Sequence, residues 1–116
     1  MPPDTPGLVL DLDAFERNVA LMARTIVQEG GKRWRPHAKA IRSPQLVRQL
    51  IEAGASGVTC STVGEAQVMV NAGIRDVLVA SQVVRPSDLE LLAELNRDAV
   101  VLCSVDAPAH VMGLAA

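Results

Sequence analysis

The chain reads as an α/β protein built on a parallel sheet of about five strands, and three observations carry that reading. Short runs rich in β-branched residues alternate with stretches whose apolar residues recur at helical spacing. Capping residues and glycines mark helix starts and stops between those runs. A weak internal repeat sets Ala53-Gly54 and Val58-Thr59-Cys60-Ser61 against Ala72-Gly73 and Leu78-Val79-Ala80-Ser81, each spelling helix, glycine stop, strand and polar tip. The 116 residues make one ordinary domain with enough chain to bury a core.

The first strand-like run is 8–11. Phe15, Val19, Met22 and Ile26 follow at helical spacing, with Asp13 and Glu16 at capping-box spacing and Gly30 as the stop. The second run, 32–37, precedes Ser43-Pro44, a cap before a proline at the first helical position, and the stripe Val47, Leu50 and Ile51. The third run, 57–60, leads into Thr62 and Glu65, again at capping-box spacing, and its helix stops at Gly73 as the previous one stops at Gly54. The fourth run, 76–80, precedes Ser87 with Glu90 and the stripe Leu89, Leu92 and Leu95; the fifth is 99–105, with another helix beginning near Ala107. Each stripe is expected to face the sheet, and no low-complexity segment or linker interrupts the series.

Composition narrows the function. With 49% hydrophobic and 21% charged residues the chain is globular in character. A net charge of −2, with Trp34 and Phe15 as its aromatics, offers no basic, stacking-rich surface for nucleic acid. Apolar runs such as Val77-Leu78-Val79-Ala80 are too short for a membrane span, and Met1-Pro2-Pro3-Asp4 lacks the basic start of a leader, so a cytoplasmic protein is expected. Cys60 and Cys103 fall in strand-like runs and read as small buried hydrophobes in preference to a disulfide or metal pair.

Ligands of parallel α/β folds bind beyond the carboxyl ends of the strands. Collected there are Asp11 and Asp13, His37 and Lys39, Ser61 and Thr62, Ser81 and Gln82, then Ser104 and Asp106. Asp13 and Thr62 read first as helix caps. Ser61, Ser81 and Gln82 fit a site as well as a structural role.

Among these, Lys39 stands out as a candidate amine for covalent catalysis. If the strand persists through Arg35-Pro36-His37-Ala38-Lys39, side-chain alternation puts Arg35, His37 and Lys39 on one face. An amine attacks a carbonyl only when unprotonated, and partial burial together with the charge of Arg35 would favour that form. Pro36 has no N–H for a ladder, which argues for a strand distorted or already ending there.

The segment Arg35-Pro36-His37-Ala38-Lys39, with Leu8-Val9-Leu10-Asp11-Leu12-Asp13 before it and Gly57-Val58-Thr59-Cys60-Ser61 and Val63-Gly64-Glu65-Ala66 after it, resembles the N-terminal part of the D-threonine aldolase and eukaryotic-type D-serine dehydratase family. The resemblance runs through Ser104-Val105-Asp106. It implies an alanine-racemase-like β/α barrel of the TIM type (pyridoxal phosphate fold type III), incomplete here, with 1–116 as its first part and a C-terminal β domain absent from this chain. It implies that Lys39, matching the lysine of the RPHxK motif, is the catalytic residue and carries pyridoxal 5′-phosphate as a Schiff base. It further implies a lyase acting on small D-β-hydroxy amino acids, most simply by retro-aldol cleavage to glycine and an aldehyde. Dehydratase-like elimination and a noncatalytic half-barrel that self-associates are the alternatives. A homodimer and a divalent metal are implied for the full-length enzyme, with the metal's ligands outside this chain. Two departures stand out. Many members continue the motif with a histidine and a second lysine where this chain has Ala40-Ile41-Arg42, and many carry a glutamine where it has Ser61. Ser61 is retained as a cofactor contact from its strand-end position.

Overall fold

The computed structural model describes residues 4–116. Its described residues form a three-stranded parallel sheet in the order β1 (Val58–Cys60), β2 (Asp76–Gln82), β3 (Val100–Ser104). Register pairs Val58 with Val77 and Val79 with Cys103. Helix α1 (Leu12–Met22) runs on into a π-helical segment (Ala23–Glu29); α2 (Pro44–Glu52), α3 (Val63–Asn71), α4 (Pro86–Leu95) and α5 (Pro108–Ala115) follow. Because every strand runs the same way, each crossover is a helix and all strand tips lie at one end.

The sheet has fewer strands than the five expected. Residues 8–11 pair with nothing among the described residues, and Leu8 and Val9 are exposed. The run 32–37 is reduced to one parallel bridge, His37 opposite Thr59, flanked by bonds from Thr59 N–H to Pro36 C=O (2.8 Å) and from Ala38 N–H to Thr59 C=O (2.8 Å). A regular parallel ladder would next require an N–H at residue 36, and proline has none. The pairing ends where the missing donor ends it.

Two expected helix starts also move. Asp11, not Asp13, caps α1, its Oδ1 accepting from Ala14 N–H at 2.9 Å. Arg85, not Ser87, sits at the cap position of α4, because Pro86 occupies the first helical position with its backbone already set for a helix. Ser43 and Thr62 cap as expected, accepting from Leu46 N–H (3.4 Å) and Glu65 N–H (3.1 Å). Gly54 and Gly73 end their helices with left-handed φ of 119° and 93°, whereas after the first helix it is Gly31 (φ 59°) that turns left-handed and Gly30 that stays helical.

One face of the sheet is packed. Val58, Cys60, Val77, Val79 and Val101 meet Val47 of α2, Ala66, Met69 and Val70 of α3, and Leu92 and Leu95 of α4. Beside Val47 on the same stripe of α2, Leu50 packs in a second cluster against Ala23, Trp34 and Ala55, where Phe15, Val19, Ile26 and Val27 join. Met22, expected on that stripe, is exposed; Ala23 takes the inward position. The opposite face of the sheet carries Val100 and Leu102, both exposed, and it is there that a closed barrel would have its interior.

At the amino end of β2, Asp76 accepts from Arg35 Nε (2.8 Å) and Nη2 (3.1 Å) and from Arg33 Nη2 (3.1 Å). The bidentate Arg35 pair fixes the 33–35 segment to β2, the strand next to its own partner β1. Close by, Gly57 permits the approach of β1 to β2: a Cβ there would overlap the Asp76 carbonyl oxygen. At the open edge of β3, the Asn96 side chain donates to Val101 C=O (2.9 Å) and accepts from Val101 N–H (3.0 Å), covering backbone groups that would otherwise await another strand.

Gly57→Ala is expected to lower unfolding free energy by about 2 kcal/mol, because the obstructing atom is backbone and cannot swing aside; urea titration by circular dichroism measures it. A second expectation concerns Cys60, which is fully buried, so that burial first and the nearby Glu65 carboxylate second push its thiol from 9.0 up to about 11. An unfolded chain gives up that proton near pH 9 while the folded one holds it to about 11, so the associated stability is complete below pH 9 and disappears as pH climbs through 11. Between those limits the natural chain should lose on the order of 2 kcal/mol more than Cys60→Ala does, read as the difference between two series of urea midpoints.

Candidate active site

Three strand tips and one bridge end converge at the carboxyl end of the sheet. His37 closes the bridge to β1, Ser61 follows β1, Ser81 and Gln82 end β2, and Ser104 ends β3 with Asp106 just beyond it. Asp11 and Asp13, expected with them, belong to the start of α1 instead. The remaining tips are brought together as the sequence suggested.

Lys39 lies in a turn just past the bridge, not in a continuing strand. Ala38 is buried and bonded to β1, Arg42 N–H closes back on Ala38 C=O at 2.7 Å, and Lys39 sits exposed within that loop. The Lys39 peptide has both its groups engaged, its N–H donating to His37 Nδ1 (3.2 Å) and its C=O accepting from Arg42 Nε (3.0 Å). The expected convergence of three basic groups does not occur. Arg35 turns to the amino end of the sheet and spends its charge on Asp76, with the two side chains 20% and 25% exposed. The partial burial expected of Lys39 is likewise not supplied by residues 4–116.

The tip of β1 is held from both sides. Ser61 N–H donates to Glu65 Oε2 at 2.7 Å, and the Ser81 hydroxyl donates to Ser61 C=O. Thr62 and Glu65 thus make a capping box in which the carboxylate reaches one residue beyond the cap. Ser81 can reach because β2 slips register between Val79 and Gln82, where Ala80 and Ser81 are additional to the pairing. The spacing of Thr62 and Glu65 exposed half of this clamp in the sequence; the Ser81 half depends on a slip that no local pattern announces. At the tip of β3, Gln82 Nε2 donates to Asp106 Oδ2 at 2.8 Å, and His110 Nδ1 of α5 lies 3.0 Å from Asp106 Oδ1 without the alignment of a hydrogen bond. Neither Asp106 nor Gln82 had a firm role from sequence, and His110 had none.

A cavity of about 270 Å³ opens between the Lys39 loop and α3, lined by Ala38, Arg42, Glu65, Val68 and Met69. A larger space of about 560 Å³ lies at the open edge of β3 between α4 and α5, away from the lysine and lined chiefly by apolar residues such as Leu89, Leu92 and Val101. The former adjoins the lysine loop and is lined by Glu65, one of the two side chains that hold the tip of β1. Among the described residues no group of three or more histidine, cysteine, aspartate or glutamate side chains could hold a metal ion. A lysine amine at the carboxyl end of a parallel sheet, beside hydroxyl-bearing tips, suits an aldehyde cofactor that attaches through an imine.

Comparison with known proteins places this arrangement. The chain is 41% identical over 103 residues to the D-threonine aldolase of Arthrobacter sp, covering 89% of this chain and 27% of that one. The crystal structure of D-threonine aldolase from Filomicrobium marinum matches with a TM-score of 0.93 at 44% identity, over 96% of this chain and 30% of that one. D-threo-3-hydroxyaspartate dehydratase from Delftia sp. HT23 matches with a TM-score of 0.87 at 35% identity, over 97% of this chain and 30% of that one. The chain therefore spans less than a third of the length of these relatives. The model of the alanine racemase N-terminal domain matches residues 10–115, and on that evidence the chain belongs to the alanine racemase N-terminal domain family.

Proposed function

We propose that the chain is the lysine-bearing first part of a pyridoxal-phosphate-dependent lyase that cleaves D-β-hydroxy amino acids by retro-aldol reaction. The observation that carries this reading is the placement of Lys39 on a pinned loop at the carboxyl end of the sheet, in a chain whose likeness to a D-threonine aldolase structure extends over 96% of its length. When bound, the cofactor supplies an electron sink for the carbanion left by cleavage at Cα.

The chain's own residues contribute attachment and geometry. Lys39 Nζ would hold the cofactor through its aldehyde carbon, so the loop must present the amine without obstructing an incoming amino acid. Ser61, on a tip clamped by Glu65 and Ser81, offers a hydroxyl at the same end of the sheet. The phosphate anchor, substrate-gripping groups and divalent metal ligands belong, in this reading, to the length that the relatives have beyond this chain, including a C-terminal β domain. The same reading takes a small amino acid as substrate, a homodimer as the assembled form and the cytoplasm as its location. A dehydratase outcome has support in the likeness to the Delftia enzyme, and the lower identity there, 35% against 44%, favours the aldolase.

The chain has two lysines, so Lys32 is an internal control. Reduction with borohydride in the presence of pyridoxal phosphate should leave a pyridoxyl group on Lys39 and not on Lys32, as read by peptide mass; equal labelling of the two would defeat the assignment. In the enzyme containing this chain, Lys39→Ala should lower turnover at least about 10⁴-fold. Glycine and acetaldehyde from D-threonine identify the aldolase, a keto acid and ammonia identify the dehydratase, and neither product from an intact, folded enzyme leaves the noncatalytic half-barrel.

A further inference from the structure

Among the described residues, Arg42 is the one non-glycine residue with a left-handed backbone, at φ 47°. That conformation brings the Cβ of an L-residue against the backbone, and glycine or asparagine takes it with less strain. Nothing local demands an arginine for the turn itself, since the chain needs only to reverse from the Lys39 loop into Ser43, the cap of α2. What the arginine adds is its side chain: Nε donates to Lys39 C=O at 3.0 Å while its own N–H closes on Ala38 C=O. Strain kept at one residue beside a functional loop is a sign that the surroundings use it.

We propose that Arg42 is a positioning residue for Lys39, accepting an unfavourable backbone so that its guanidinium holds the lysine's peptide in place. The loop is then fixed at three successive points. Ala38 is bonded to β1, Lys39 N–H to His37 Nδ1, and Lys39 C=O to Arg42 Nε. Released from the last of these, the Lys39 peptide can rotate, and with it the direction in which the side chain leaves the backbone. Arg42 also lines the cavity beside the loop, and across it Glu65 holds the Ser61 peptide. Two charged side chains thereby brace two neighbouring tips from one cavity. The significance for catalysis rests on the reading of Lys39 as the cofactor lysine, but the positioning itself does not.

Arg42→Gly separates the backbone from the side chain, because it relieves the left-handed conformation and deletes the guanidinium. Hydrogen exchange followed by NMR on the full 116-residue chain should show the Lys39 amide exchanging at least about 10-fold faster in this variant, with the urea midpoint unchanged or raised and the amides of Val77 and Val79 unaffected. An unchanged Lys39 rate would overturn the proposal, as would faster exchange at Lys39 accompanied equally by Val77 and Val79, which would signal general loosening. Arg42→Ala, which deletes the guanidinium without relieving the backbone, should speed the same amide while lowering the midpoint; a Lys39 rate as slow as in the natural chain would also overturn it. Borohydride labelling of Lys39 against Lys32 is read separately, so failure of the cofactor assignment and failure of the positioning role give different results.

Discussion

The pairing of His37 with Thr59 is the contact on which the candidate site depends. It joins a segment that is otherwise not a strand to the edge of β1 through two bonds of 2.8 Å, and it does so one residue before Ala38 and two before Lys39. Without it the lysine loop would lose its backbone tie to β1 at the point where the chain leaves the sheet. Pro36 sets the limit of this pairing by lacking a donor, yet its carbonyl is one of the two acceptors that make the bridge. The proline therefore ends the ladder at its amino side and helps form it at the other. Thr59 strengthens the same junction, donating its hydroxyl to Arg35 C=O at 3.1 Å.

The charges around this junction are separated along the strand axis. Arg33 and Arg35 are drawn to Asp76 at the amino end, while Lys39 stands at the carboxyl end. An ion pair of this kind, three-quarters or more removed from solvent on both sides, favours one placement of the Arg35 side chain over others. Its consequence for Lys39 is that Arg35 is withdrawn from the tips, where the nearby guanidinium is that of Arg42, bonded to the lysine's own carbonyl. In the proposed reading, the shelter that imine chemistry requires would come from surfaces packed over the exposed face of the sheet, where Val100 and Leu102 present apolar side chains.

Much of this was legible in the sequence because it is written locally. The runs 57–60, 76–80 and 99–105 became β1, β2 and β3, and the stripes of Val47 and Leu50 and of Leu92 and Leu95 became buried faces. Ser43 and Thr62 announced their caps through short-range spacing. What failed was longer in range or depended on competition between near neighbours. Asp11 and Asp13 both offer a carboxylate before α1, and which one caps is decided by where the chain turns. Residues 8–11 have strand-like composition but no partner among the described residues, and composition alone does not supply one. Alternation put Arg35 and Lys39 on one face, but Asp76, more than forty positions on, took Arg35 the other way.

The site's remaining order comes from side chains bonded to backbone, and this has a consequence for how it tolerates change. Glu65 and Ser81 act on the Ser61 peptide, and His37 and Arg42 on the Lys39 peptide, so none needs to touch a ligand in order to affect where a ligand-bearing group sits. Such bonds are individually modest in free energy, about 1 kcal/mol each, so the loss of any one would lower stability without unfolding the chain. The geometry they enforce is another matter, because reacting groups held in place avoid an entropy loss that free ones incur. Arg42 and Ser61 also stand where the resemblance read from the sequence leads one to expect a lysine and a glutamine. A glutamine at residue 61 would keep the peptide that Glu65 and Ser81 hold, and a lysine at residue 42 would keep a donor without the planar fork. The departures thus change side-chain chemistry at the tips while leaving the bridge and the parallel register that bring the tips together.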